Sequence, residues 1–226
     1  MELTTYCCDV GSTKRGRFAW VRVSGSGPAV RGGASISDCA ERMRADLAAR
    51  RVVTLGFECP LFIPVPSDRD CPGVGRVGDK NRSCFAPAGG YVATLGLQQL
   101  AYLLRTVRQR AAPAVRARLD WTTWTRGDPD EVLLWEAFVS GPGHTRDGDH
   151  RRDAATAALC FWEMCRSGSL STAVRAGGPD TTLSLVGAAS LWAGWTEDLG
   201  VLRQPVLVVK PEQPCVAAIG DDMQGE

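Results

Sequence analysis

The sequence predicts an α/β fold in which a mixed sheet is flanked by helices. Residues 52–57 are a continuous apolar run, typical of a central strand that is covered on both faces, and residues 131–139 are predicted to be another buried strand. Helical periodicity separates these runs, and strand and helix patterns alternate along the chain, which favours helices packed on a sheet. At 226 residues the chain is long enough for one large domain with a complete hydrophobic core.

Turn residues and caps place the individual elements. The first two predicted strands flank a Gly-containing turn at 11–16 and so form a hairpin. Ser37 is expected to cap the first helix, and Pro60 to end the strand before it. The predicted strands are 4–10, 17–23, 29–33, 52–57, 131–139 and 206–209; the predicted helices are 38–50, 92–110, 149–165 and 183–195, with another after Pro113 that carries Val115 and Leu119.

Three segments show neither helical nor strand periodicity. Residues 61–90 are rich in Pro, Gly, Asp and Arg and are predicted to form a long loop, and loops of that length are uncommon unless they are functional. Residues 140–148 are expected to be a shorter loop, and 213–226 a trailing tail.

Composition excludes several classes of protein. The 26 Lys and Arg balance 25 Asp and Glu, which argues against a cationic nucleic-acid coat or an acidic tail. The nine cysteines include no C-x-x-C pair, which disfavours a zinc ribbon or a thioredoxin motif. With no signal-peptide pattern and no apolar stretch of about 20 residues, the sequence predicts a cytoplasmic protein without a membrane partner.

Four acidic residues lie at the edges of apolar elements. Asp9 ends the first strand, Glu58 ends a central strand, and the other two are Glu136 in the next buried strand and Asp153 in the first turns of a helix. Carboxylates beside apolar runs are costly unless they are neutralised, and a divalent cation is a common partner for clustered oxygen ligands. Any one of them alone could simply begin a solvated loop.

These residues resemble a family. Cys8-Asp9-Val10-Gly11-Ser12 is similar to the first-strand D-x-G motif of RNase H-like nucleases, and Phe57-Glu58 to their second-carboxylate strand. The segment from His150 to Leu159, with His150-Arg151-Arg152-Asp153-Ala154, resembles the final H-x-x-D-A helix of RuvC-type resolvases. The stretch 56–61 also resembles a poorly characterised group of predicted RNase H-like nucleases that carry a further acidic residue on a following strand.

The resemblance covers residues 4–165 and implies one RNase H-like domain over 1–226. Residues 61–126 would be a loop and helical insertion, and 166–226 a C-terminal extension. It further implies a nuclease, a hydrolase that cleaves phosphodiester bonds of DNA or RNA with two Mg²⁺ or Mn²⁺ ions. A homodimer is an open alternative, because RuvC-type enzymes are homodimers.

Each acidic residue has an expected role in such a site. Asp9 would bridge two metal ions, Glu58 and Asp153 would complete their shells, and Glu136 would bind metal or orient water. His150 could bind metal or handle a proton. Asp149 lies four residues before Asp153 on the same helix face and is a further metal candidate, although Asp147 and Asp149 are equally well explained as helix caps.

Basic and aromatic residues suggest a nucleic-acid surface. The candidates for phosphate contact are Lys14, Arg15 and Arg17 on the hairpin and Arg76, Lys80 and Arg82 in the long loop. A solvated charged surface is the alternative for both groups. Trp121, Trp124 and Trp135 could stack on unpaired bases or lie in the core.

Two other functions compete with the nuclease. The segment Asp9 to Lys14 also resembles the first phosphate loop of sugar kinases and actin-like ATPases, but no second D-x-G hairpin or Gly-Gly adenosine loop follows. The other alternative is a catalytically inactive nucleic-acid or protein-binding module. Metal titration and ATP binding would distinguish the three.

Overall fold

The structure is a computed structural model, and its sheet is the main organising element. It describes residues 2–25, 29–66, 70, 74–79, 87–111, 114–124, 127–140, 143–144, 148–177, 181–215 and 217–222. The strands are β1 (Leu3–Asp9), β2 (Ala19–Ser24), β3 (Ala29–Gly33), β4 (Val52–Glu58), β5 (Phe62–Pro64), β6 (Arg116–Arg118), β7 (Glu131–Ala137), β8 (Thr182–Ser184), β9 (Val208–Val209) and β10 (Ile219–Asp221). The helices are α1 (Ile36–Ala48), α2 (Pro87–Arg108), α3 (His150–Ser167) and α4 (Leu185–Trp192).

The main sheet is mixed, with the order β10-β3-β2-β1-β4-β7-β6, and β9 also pairs with β7. The pairs β1–β2 and β2–β3 are antiparallel, while β1–β4, β4–β7, β6–β7, β7–β9 and β10–β3 are parallel. The predicted α/β class with a mixed sheet is therefore confirmed. Among the described residues, no helix is both long enough and apolar enough to cross a bilayer.

Helices cover the sheet on both faces. One core contains Tyr6, Cys8 and Phe57 together with residues of α1, α2 and α4. The opposite core contains Cys7, Trp135 and the buried side of α3. Neighbouring residues Cys7 and Cys8 enter different cores because successive side chains of a strand point to opposite faces. The face on which a strand residue lies therefore decides which helix it meets.

Gly56 brings α3 close to the sheet. A Cβ atom at Gly56 would lie 2.3 Å from Cζ2 of Trp135, so only glycine leaves room for the indole to lie across β4. Trp135 in turn stacks on Phe161 of α3, with ring centroids 4.6 Å apart and planes 4° apart. This stack fixes the helix that carries His150 and Asp153.

Two helix predictions need correction. Ser35, not Ser37, caps α1: its hydroxyl accepts a hydrogen bond from the Asp38 amide, and the helix starts at Ile36. The helix expected after Pro113 is instead the strand β6, which pairs with β7. Val115 and Leu119 are buried around it, and their alternation with Ala117 is a strand pattern that the helix-forming Ala and Arg residues obscured.

Short strands and shifted ends account for the other differences. β5 lies within the predicted long loop and pairs with β8, which occupies the start of the predicted helix 183–195. β10 lies in the predicted tail, and α2 begins at Pro87 rather than at residue 92. Strands of two or three residues offer too few positions for a period of two to be recognised.

Candidate active site

Asp9 and Glu58 lie side by side on adjacent strands. β1 and β4 are parallel, and their register pairs Asp9 with Glu58 at the carboxyl end of both strands. Asp9 follows Cys7 by two residues, which places it on the face covered by α3. Asp9 is buried, and Glu58 is partly exposed as a whole residue although its Oε2 atom is buried. The predicted convergence of these two carboxylates is thus present in the sheet itself.

α3 adds the third carboxylate. The helix packs against β1 and β2. Asp149 caps it, because its Oδ1 accepts a hydrogen bond from the Arg152 amide. Asp153 lies one turn further on and is 2 % exposed. The structure therefore supports the capping interpretation of Asp149, whereas Asp153 belongs to the buried group beside the sheet.

Each of the two aspartates contacts a histidine. Nδ1 of His150 lies 2.7 Å from Oδ2 of Asp9, and Nδ1 of His144 lies 2.8 Å from Oδ2 of Asp153. These are the only two histidines of the chain. Both rings remain partly exposed, so each couples a buried carboxylate to solvent.

The electrostatics show that the three carboxylates interact. Burial raises the pKa of Asp9 to about 6; the His150 contact opposes the rise, and the charge of Asp153 adds to it. Burial also raises the pKa of Glu58 well above its usual range, with further contributions from Asp9 and Asp153. Burial is thus the main cause of both shifts, and the neighbouring carboxylates add to it.

Glu58 carries an oxygen without a partner. Its Oε2 atom is buried and receives no hydrogen bond from any residue that the structure describes. A buried acceptor without a donor is costly, and a cation would relieve that cost. Asp9, Glu58 and Asp153 are hard oxygen donors of the kind that Mg²⁺ and Mn²⁺ prefer.

The described side chains do not yet form a ligand cage. Within the described ranges, no group of three or more His, Cys, Asp or Glu residues is arranged to hold a metal ion. Asp9 and Asp153 instead face their histidines. The donor chemistry fits a divalent cation, and Asp9 would be shared between the cation and its contact with His150.

Glu136 is not part of this group. Its register partner on β4 is Phe57, so it lies on the sheet face opposite to Glu58. There Oε2 of Glu136 accepts hydrogen bonds from the Leu61 amide at 2.9 Å and from Nη1 of Arg76 at 2.8 Å. Its predicted catalytic role therefore finds no geometric support.

Arg76 is buried with Glu136 instead of facing solvent. Its guanidinium also contacts both oxygens of Asp79 and lies over the Phe62 ring, 4.8 Å from the centroid. The pKa of Arg76 is raised, because the carboxylate of Glu136 and the contacts with Asp79 outweigh burial. The predicted phosphate contact of Arg76 is therefore not supported by its position.

The remaining basic candidates divide into two groups. Lys14, Arg15 and Arg17 are exposed on the β1–β2 hairpin, and a 3-10 turn spans Thr13–Arg15. Lys80 and Arg82 lie outside the described residues. Trp124 and Trp135 are buried in the core beside Phe161, and Trp121 is partly buried. The hairpin cations thus remain as candidates for contact with phosphate.

Two residues near the site could not be recognised from the sequence. His144 lies in a loop without periodicity, so its only signal was that histidine is rare in this chain. Gln99 of α2 donates from Nε2 to the Gly11 carbonyl at 2.7 Å and so anchors the hairpin two residues after Asp9. A helical glutamine gives no sequence signal for such a contact.

Comparison with known proteins identifies no relative: no family model, no curated protein and no solved structure matches the chain.

Proposed function

We propose that the chain is a divalent-metal-dependent nuclease with an RNase H-like fold. The observation that carries this proposal is the register pair Asp9–Glu58 next to the buried Asp153 of α3, because clustered carboxylates of this kind are a common setting for a divalent cation. The mixed sheet with helices on both faces supports the fold, as do the carboxylates on the first strand, a central strand and the later helix.

Asp9, Glu58 and Asp153 would hold the metal. When bound, a pair of Mg²⁺ or Mn²⁺ ions activates water and stabilises the leaving oxygen of a phosphodiester. The chain's contribution is to keep the three carboxylates preorganised on rigid elements, since β1 and β4 are central strands and α3 is fixed by the Trp135–Phe161 stack.

His150 and the cations of the β1–β2 hairpin have separate roles in this proposal. A neutral imidazole that donates from Nδ1 to Asp9 keeps Nε2 as an acceptor, which is the form of His150 that can take a proton from water. Lys14, Arg15 and Arg17 follow Asp9 within eight residues and attract the phosphate backbone toward it.

The test is cleavage of labelled single-stranded, duplex, hybrid and branched DNA and RNA with Mg²⁺, Mn²⁺ or EDTA. We expect wild-type protein to cut in the presence of metal, and the Asp9→Asn variant to be inactive because a neutral amide is a poor metal ligand. Asp198→Asn is the matched control, since Asp198 caps a remote turn at 199–203 and asparagine caps equally well. Cleavage that persists in EDTA or in Asp9→Asn would refute the proposal.

A further inference from the structure

A groove lies between the β1–β2 hairpin and α2. Hairpin residues 12–14 form one wall, and α2 contributes Tyr91, Leu95, Gln98 and Tyr102 to the other. The cavity has a volume of about 460 Å³, which is in the range of pockets that hold small ligands or single residues of a polymer. The carboxylates Asp9, Glu58 and Asp153 are not among the described residues that line this groove, because they lie on the sheet face that α3 covers.

The α2 wall presents two exposed rings. Tyr91 and Tyr102 are 64 % and 47 % exposed. The positions 91, 95, 98 and 102 recur at spacings of four, three and four residues, which is one face of a helix. At about 1.5 Å per residue the two tyrosines are roughly 16 Å apart along the axis, a distance that a few nucleotides span.

The hairpin wall is cationic and polar. Lys14 is the one charged side chain among the described residues of the lining, and Ser12 and Thr13 add hydroxyl donors. Arg15 and Arg17 are exposed on the same hairpin, and the described lining of the groove includes no carboxylate. Aromatic rings beside an unneutralised cation are the elements of a surface that binds unpaired nucleotides.

Gln99 gives the groove a polar back wall. Because its Nε2 donates to the Gly11 carbonyl, the amide orientation is fixed and Oε1 is the remaining acceptor. Gln99 is 7 % exposed, and Oε1 has no donor among the described residues. Gln99 therefore places one unsatisfied acceptor behind the groove.

We propose that this groove binds an unpaired stretch of nucleic acid, with bases on Tyr91 and Tyr102 and phosphate at Lys14. The inference rests on the proposed nuclease function and names its substrate class as single-stranded DNA or RNA. Ser12 of the groove follows Asp9 by three residues, so the hairpin wall begins at the carboxyl end of β1.

The test measures binding separately from cleavage. Fluorescence anisotropy in EDTA would follow labelled oligothymidylate and oligouridylate, with a duplex and ATP as competitors. We expect Tyr91→Leu and Tyr102→Leu each to weaken single-strand affinity at least about fivefold, because leucine keeps the bulk but loses the stacking face. Lys14→Ala should lower the slope of log affinity against log salt by about one.

Controls make the result specific. Tyr102→Phe keeps the ring and should keep the affinity, while Leu199→Ala removes an exposed apolar side chain away from the groove and should also have no effect. The ratio of oligothymidylate to oligouridylate affinity then separates DNA from RNA as the natural strand.

The outcomes separate the two proposals. Equal affinity of wild type and both tyrosine variants, or tighter binding of duplex or ATP at the groove, would overturn the groove assignment even if metal-dependent cleavage is found. Loss of cleavage with intact binding in Asp9→Asn would support both proposals. Binding without any cleavage by wild type would leave the groove supported and the nuclease refuted.

Discussion

His150 and Asp9 are in direct contact across the site, with Nδ1 2.7 Å from Oδ2, although 141 positions separate them in the sequence. The contact joins the first turn of α3 to the end of β1. It opposes the rise that burial produces in the pKa of Asp9. The imidazole therefore helps to keep a buried carboxylate ionised and ready for a cation.

Removing this imidazole should weaken metal binding. In His150→Ala the pKa of Asp9 should rise further, so that more of the carboxylate is protonated at neutral pH and Mn²⁺ binds more weakly. His144→Ala should have a smaller effect on Asp9, because the charge of His144 is the least of the named influences on its pKa. Calorimetric titration with Mn²⁺ from pH 5 to pH 8 compares the two variants. The pH at which Mn²⁺ binding is half-maximal should rise in His150→Ala. An unchanged pH midpoint in that variant, or a larger rise in His144→Ala, would contradict this prediction.

Without metal, the site should make the fold less stable as pH rises. The pKa of Asp9 is about 6 in the folded protein, against 3.8 for an ordinary aspartate, so the folded state binds more protons between these values. The stabilisation contributed by Asp9 is therefore complete below about pH 4 and is lost as pH rises through about 6. For a pKa shift of this size, the free energy of unfolding falls by roughly 3 kcal/mol. Burial also raises the pKa of Glu58, which contributes to stability in the same direction.

Urea unfolding in EDTA across this pH range measures the effect. Asp9→Asn cannot titrate at this position, and its stability should fall less steeply than that of wild type. Added Mn²⁺ should restore stability to the wild type at neutral pH but not to the variant. Equal slopes for wild type and variant would show that Asp9 titrates normally.

The sequence allowed two of the three site carboxylates to be placed on the correct strand ends. Asp9 and Glu58 each close an apolar run, and parallel strands bring their carboxyl ends to one edge of a sheet. Glu136 could not be assigned to a face, because every residue of β7 is buried and its sequence does not alternate between apolar and polar residues.

The missed histidine His144 and the wrongly placed Arg76 share one physical cause. His144 and Arg76 lie in irregular segments, where side-chain direction depends on tertiary contacts rather than on a local period. Arg76 looked like a surface cation because arginine is rarely buried, yet two carboxylates pair with it inside the protein. Only the folded chain shows that partnership.

Loss of the Arg76 guanidinium should destabilise the protein strongly. Arg76→Met would leave Glu136 and Asp79 buried without their cation, which typically costs about 3–5 kcal/mol. Arg76→Lys keeps the charge but not the forked geometry and should lose less. Chemical denaturation measures both, with Arg50→Ala as a control because the Arg50–Asp130 pair is largely exposed. If Arg76→Met were stable but bound nucleic acid more weakly, Arg76 would instead act as the phosphate contact that the sequence predicted.

A methyl group at Gly56 should disturb α3, because it would project into the sheet face that α3 covers. In Gly56→Ala the new Cβ would lie 2.3 Å from Cζ2 of Trp135, which is stacked on Phe161 and buried, so the indole cannot yield without breaking the stack. We expect a loss of roughly 1–3 kcal/mol, with a reduced near-ultraviolet signal from tryptophan.

Gly90→Ala is the matched control, since a Cβ at that helical position meets no atom within 4 Å, and alanine there should be neutral or slightly stabilising. If the stack positions Asp153, Gly56→Ala should also weaken Mn²⁺ binding while Gly90→Ala does not. Full stability and unaltered tryptophan signal in Gly56→Ala would mean that β4 and Trp135 separate readily, and that α3 is held by its other contacts with β1 and β2.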